Sequence, residues 1–249
     1  MSTPEFAEPI WGRPEPGARN PRFSREKIAK AALDIAKADG VGAVSMRRVA
    51  AELGAGTMTL YHYVGNKREL FELMHDAMMS QLIVADEELE QGWRRALTAI
   101  ADASLKAWRT HRWHREESHG TPVFGPNGLR HFEQSLKAVS TTGLPLVRQM
   151  EIVSQVDEYV LGYAEGERFD FPEDWEQLWG DYMARVGDYL TAQIEGGEFP
   201  HVDQFIGGDD FMTVVRRLVR ESSADERFHR GLGRLLDGVQ AEIDRGPDS

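Results

Sequence analysis

Cysteine is missing from all 249 residues. Its absence excludes a disulfide scaffold, a thiolate zinc ribbon and a cysteine nucleophile together, and it suits a reducing compartment. Long apolar runs are missing too; none approaches the roughly 20 residues needed to cross a bilayer. The first residues, MSTPEFAEPIWGRPEPGARNPR, lack the basic stretch followed by an apolar core that marks a secretory signal. A soluble protein of the cytoplasm with no membrane partner is expected. Serine elbow, P-loop, HExxH and dinucleotide glycine fingerprints are absent as well. No nucleophile or acid–base pair stands out, so neither an enzyme nor a cofactor is expected.

Positive charge is scarce, with 29 Lys and Arg against 41 Asp and Glu, a net of −12. Its distribution is more informative than the sum. Residues 13–75 carry 11 basic against 7 acidic side chains, whereas residues 76–249 carry 18 against 32. A basic block on an acidic body suits a small module that meets a polyanion; chance fluctuation is the competing explanation.

Residues 1–22 contain five of the eleven prolines. They read as a flexible arm, which either lies along DNA through Arg13, Arg19 and Arg22 or has no role. From Ser24 onward the pattern is helical, with no strand alternation and no repeat. Ser24 caps a helix whose Ile28, Ala32, Ile35 and Ala36 form one stripe, closed by Gly40. Ser45 caps a second, with Met46, Val49, Ala50 and Leu53 on one face. After Gly54-Ala55-Gly56 comes a short third helix, Thr57 to Val64, and Asn66 caps a fourth. Further helices are expected over 67–85, 88–111, 127–141, 145–165, 173–195, 209–220 and 225–244. The fold class is all-α: an arm (1–22), a three-helix helix-turn-helix domain (23–70), and a helical ligand-binding and dimerisation domain (71–249).

Residues 45–64 place two short helices around a glycine turn, the helix-turn-helix arrangement whose second helix enters the major groove. With Leu60 inward at 100° per residue, Met58, His62 and Thr59 lie about 160°, 200° and 260° away, facing out. Tyr61 and Tyr63 flank them. That face has no acid and offers hydroxyls, an imidazole and a thioether to base edges and phosphates. Arg47, Arg48, Lys67 and Arg68 surround it as phosphate grips. An ordinary three-helix unit with solvated basic residues is the plainer alternative.

The stretch SMRRVAAELGAGTMTLYHYVGNKREL resembles the DNA-binding domain of the TetR family of repressors, in its Leu53-Gly54 turn, Thr59-Leu60-Tyr61, Tyr63 and Asn66-Lys67. FHRGLGRLLDGVQAEI, Phe228 to Ile243, resembles the last helix of the tetracycline-repressor ligand domain. The resemblance implies Arg47, Thr57, Met58 and Thr59 toward bases, and Tyr61, His62, Tyr63 and Lys67 at phosphate or groove positions. Met58 stands where the prototype has proline, Met46 where it has threonine, and His62 and Tyr63 where it has tryptophan and histidine. The operator sequence therefore does not carry over. Ile83 stands near the prototype's ligand histidine, so tetracycline with magnesium is not implied.

Two long stripes remain: Trp175, Trp179, Tyr182, Met183, Val186, Leu190 and Ile194, then Phe228, Leu232, Leu235, Leu236, Val239 and Ile243. Such stripes are core or interface. The resemblance implies a homodimer bundle, with Trp179, Met183, Val186, Leu190, Leu232, Leu235, Leu236 and Val239 in the interface. Trp93, Trp108, Trp113, Phe132, Met150, Tyr159 and Tyr163 either line an apolar effector pocket or are plain core. His111, His114 and His119, with Glu116 or Glu117, have ligand-like spacing, yet read as an exposed helix end, and no metal is expected. The expected function is a homodimeric repressor on near-palindromic operator DNA, released by an unknown small apolar or aromatic effector. An activator or ligand-independent DNA-binding protein of the same fold, and an all-α carrier or enzyme, remain open.

Overall fold

The computed structural model describes residues 9–16, 23–113, 125–167, 175–220 and 223–246. Every regular element among them is helical, as the sequence implies. No described helix is long and apolar enough to cross a membrane. The chain divides into two compact units. Residues 1–161 with 239–249 form the first, and residues 162–238 form the second.

The first unit begins with helices α1 (Arg25–Asp39), α2 (Met46–Glu52), α3 (Thr57–Tyr63) and α4 (Lys67–Met79). The three expected caps are made. The side-chain oxygens of Ser24, Ser45 and Asn66 accept from the backbone N–H groups of Lys27 (3.1 Å), Arg48 (3.2 Å) and Glu69 (3.0 Å). Each satisfies a donor that a helix start leaves unpaired. The α2–α3 turn closes by two bonds, Ala55 N–H to the Ala50 carbonyl (2.8 Å) and Gly54 N–H to the Ala51 carbonyl (3.1 Å). This pattern needs a left-handed residue, and Gly54 supplies it at φ 61°. Ile28, Ala32, Ile35, Val49, Leu60, Val64, Leu70 and Met74 fill one core between these helices.

That core has an unexpected member. Ile10, in a short 3-10 turn at Ile10–Gly12, is fully buried in it. The Pro-rich arm expected over residues 1–22 is therefore docked over its described part, 9–16.

Beyond α4 come α5 (Asp86–Leu89), α6 (Trp93–Thr110), α7 (Pro126–Ser140) and α8 (Leu146–Gly166). The helix expected over 88–111 is broken at Gly92, which sits at φ 90°. The expected boundary after residue 70 falls inside α4 and is no break in packing, because α4 packs on α1 and on α7. Two polar ties join α4 and its exit to α7. The buried Asp76 carboxylate accepts from the backbone N–H groups of Asn127 (2.9 Å) and Gly128 (3.1 Å) and from the Asn127 side-chain amide (2.9 Å). Burial pushes the Asp76 carboxyl above its ordinary range, and these hydrogen bonds pull it part-way back. Further along, the Gln134 amide donates to the Leu82 carbonyl (2.7 Å) and accepts from Val84 N–H (3.0 Å).

The second unit holds α9 (Trp175–Glu195), α10 (Pro200–Ile206), α11 (Phe211–Arg220) and most of α12 (Ala224–Arg245). Helix α10 lies in a stretch expected to be irregular. Pro200 in its first turn and Gly207 in the left-handed region mark its limits, and its seven residues are too few to show a period.

The Asp76 tie leaves no room beside it. A Cβ on Gly125 would stand 2.7 Å from Cζ2 of Trp11 and closer still to the Asp76 carboxylate. Gly125→Ala is expected to destabilise the first unit by about 1–3 kcal/mol, the usual cost of overpacking. Urea unfolding followed by circular dichroism measures it; an unchanged midpoint refutes the tight seat.

Candidate nucleic-acid interface

The two turns of α3 are held from beneath by Leu60 and Val64, both fully buried. Met58 is 74 % exposed and Tyr61 45 %. His62 is exposed, and Thr57, Thr59 and Tyr63 are half-buried at the flanks. The outward face is thus the one that helical geometry assigned, and it carries no acid.

Basic groups frame this face. Arg47 is exposed at the start of α2. Arg48 pairs with Asp39 at the end of α1 (3.0 Å), with both side chains about half exposed. Such a pair is worth at most ~1 kcal/mol in solvent, so exchanging Asp39 for another anion would cost little. Lys67 opens α4, where the helix N-terminus adds positive potential, and its ammonium rests 5.1 Å above the Phe71 ring. Glu69 is turned away from this surface. Its carboxylate accepts from Gly65 N–H (2.8 Å) and pairs with Arg13 (2.5 Å). Asn66 thus caps the Glu69 N–H, while the Glu69 side chain reaches past the cap residue to the N–H of Gly65.

Residues 28–74 match the model of bacterial regulatory proteins of the tetR family, and residues 87–243 match the tetracyclin repressor-like C-terminal domain. The chain belongs to the TetR family. It is 30% identical to the HTH-type transcriptional repressor DrrR1 of Streptomyces coeruleorubidus over 95% of this chain and 85% of that one. To the class E tetracycline repressor protein of Escherichia coli it is 22% identical, over 90% and 93% of the two chains. Its fold is that of ActR from Streptomyces coelicolor, solved without ligand (TM-score 0.65, 23% identical, 89% of this chain and 98% of that one). ActR in complex with actinorhodin gives a TM-score of 0.64, at the same identity and coverage.

In this TetR-family chain the expected effector residues have different surroundings. Trp113 is buried in the core of α1–α4, with its ring 6.1 Å from that of Phe71. Tyr163 donates its hydroxyl to the Ala224 carbonyl (2.5 Å) and stacks edge-on against Phe228 at 5.2 Å, which fixes α12 within the second unit. Met150 is exposed near the start of α8. Trp93, Trp108, Phe132 and Tyr159 are half-buried. A cleft of about 760 Å³ does open between α1, α4, the end of α6 and the start of α7. None of the seven residues lines it; Trp11, Leu33, Lys37, Leu73, Ala77 and Arg130 do.

The expected dimer residues also need sorting. Leu232, Leu236 and Val239 are already buried in the single chain, so they have almost no surface left to give a partner. Leu235, Met183, Val186 and Leu190 are half-buried, and Trp179 is exposed. Leu178 (59 % exposed), Tyr182 (61 %) and Tyr189 (62 %) share that outward side of α9. Leu178 and Tyr189 lie outside the stripe read from the sequence because two apolar stripes overlap on this helix, and periodicity alone does not say which one faces inward.

His114, His119, Glu116 and Glu117 lie outside the described residues. His111 is buried, and its Nε2 bonds the Gln81 side-chain oxygen (3.1 Å). Among the described residues no cluster suited to a metal is present. Burial, and then the nearby Lys37 charge, hold the His111 imidazole below the ordinary value of 6.5; burial alone does the same for His75. A folded-state value below the unfolded one means stability that is complete above pH 6.5 and lost as pH falls through the folded-state values. Thermal melts are therefore expected to shift down on acidification from neutral pH. His111→Gln should reduce that shift, and an equal pH dependence in the variant contradicts the assignment.

Proposed function

We propose that the protein is a homodimeric transcriptional repressor that reads a near-palindromic operator with α3 and is released by a small aromatic or apolar effector. The exposure of Met58, Tyr61 and His62 above the buried Leu60 and Val64 carries this reading. It is supported by the basic frame of Arg47, Arg48 and Lys67. Two copies related by a two-fold axis suit two half-sites about one or more helical turns apart. The outward side of α9, with Leu178, Trp179, Tyr182 and Tyr189, supplies an apolar surface for the second copy.

Release depends on the attachment of α4. An effector that displaces α7 drags α4 through Asp76 and Gln134, and α4 carries the DNA-reading helices with it. A coupling of 1–3 kcal/mol, the usual range, changes affinity about 5- to 150-fold. DrrR1 is named a repressor, and ActR is solved with actinorhodin, a bound ligand; both support an effector-released repressor here.

Gel retardation of duplexes from around the protein's own coding region is the direct test, and retention of none of them refutes the reading. Arg47→Ala is expected to weaken binding and to lower the salt-dependence slope by about 1, whereas Met58→Ala should change which sequences are preferred. Leu178→Asp with Tyr182→Asp is expected to give monomers in sedimentation velocity and to lose operator binding. A dimer that survives both substitutions assigns the interface elsewhere.

A further inference from the structure

The segment Ile10–Glu15 is joined to three separate parts of the first unit. Ile10 is fully buried among the residues of α1 to α4. Arg25, the first residue of α1, donates from Nη1 to the carbonyls of Ile10 (2.7 Å) and Arg13 (2.8 Å), and from Nε to the carbonyl of Tyr63 (3.3 Å). The Glu15 carboxylate accepts from the Arg25 backbone N–H. Arg13 pairs with Glu69, the same carboxylate that receives Gly65 N–H. At its other side the segment presents Trp11, whose Cζ2 leaves no space for a Cβ on Gly125, at the start of α7 beside Asp76.

The bond to Tyr63 is the informative one. Tyr63 is the last residue of α3, whose final carbonyls have no partner within the helix. A seven-residue helix with no side-chain cap at its N-terminus has little stability of its own. Its end is set from outside. The guanidinium supplies both a donor and a positive charge at the negative end of the helix dipole. That guanidinium is in turn held by two carbonyls of the N-terminal segment, which leans on α7.

Resting on the assignment of α3 as the DNA-reading helix, we infer that Ile10–Glu15 is a positioning strap. Arg25 fixes the C-terminal end of the recognition helix, and Trp11 ties that end to the start of α7. Both residues govern operator affinity without meeting DNA.

The test uses full-length protein and a duplex selected from random sequence by the unmodified protein. Arg25→Gln is expected to weaken binding about tenfold, the effect of losing hydrogen bonds to a charged group, and Trp11→Ser, which removes the ring packed beside Gly125, is expected to weaken it to a similar extent. The salt-dependence slope should stay as in the unmodified protein, because no phosphate contact is removed. Hydrogen exchange of the Tyr61–Gly65 amides should quicken in both. Trp11→Phe, which keeps a ring against Gly125, should restore affinity and exchange. A slope lower by about 1 in Arg25→Gln makes Arg25 a phosphate contact and overturns the strap. Full affinity or unchanged exchange in Trp11→Ser overturns it too. If Arg25→Gln does not fold, the Trp11 pair decides. Retention of no duplex by the unmodified protein defeats the DNA-reading assignment and the strap with it, whereas equal retention by every variant defeats the strap alone.

Discussion

Asp76 is an acid kept from water on one helix in order to complete the start of another. Three donors from Asn127 and Gly128 converge on it, and Gly125 is there because any side chain would collide with it. Removing a carboxylate from water is expensive unless it is well hydrogen-bonded, and an unmatched α7 start would be costly in turn. Each partner makes the other tolerable. Because the two sit 51 and 52 residues apart in sequence, the pair closes a long loop of chain at a single point. The rest of the first unit is organised around that closure: α4 stays against α7, and through α4 the core of α1 to α4 stays joined to the helices beyond it.

The consequence for DNA reading is geometric. Helix α3 is short, and its inward side chains go into a core that it shares with α1, α2 and α4. Its two ends are held by groups from elsewhere: the Gly54 turn at one end and the Arg25 guanidinium at the other. The surface that α3 is proposed to present to DNA is therefore a property of the whole first unit. The same rigidity allows a disturbance at α7 to reach α3, since packed helices move as bodies more readily than they deform.

Much of this architecture was legible in the sequence. Ser24, Ser45 and Asn66 announced their helices through chemistry that acts within three residues. The stripes of α1 and α2 and the orientation of α3 about Leu60 obey a period of 3.6. The features that escaped notice depend on partners far along the chain. Ile10 and Trp11 sit in a Pro-rich stretch whose composition reads as loop, and nothing local says that Arg25 and Gly125 await them. Gly92 falls inside the span expected to be helical, 88–111, and is instead the break before α6. On α12 the stripe of Leu232, Leu236 and Val239 was read correctly as one face, but periodicity identifies a face without saying what covers it. Here the chain itself covers it, and α9 is one of the helices that keep apolar side chains exposed. The different surroundings of Trp113 and Tyr163 have the same cause: an aromatic is equally suited to a core, a pocket wall or a brace.

Only Leu60 and Val64 of the α3 segment are committed to the interior; Met58, Tyr61 and His62 contribute little to holding the fold. Surface exchanges of this kind usually alter stability by less than ~0.5 kcal/mol. If this face reads DNA as proposed, the address that it recognises is nearly decoupled from the scaffold that displays it. A lineage carrying this architecture is free to drift toward new target sites by changing a few side chains, while its folding and its internal ties persist.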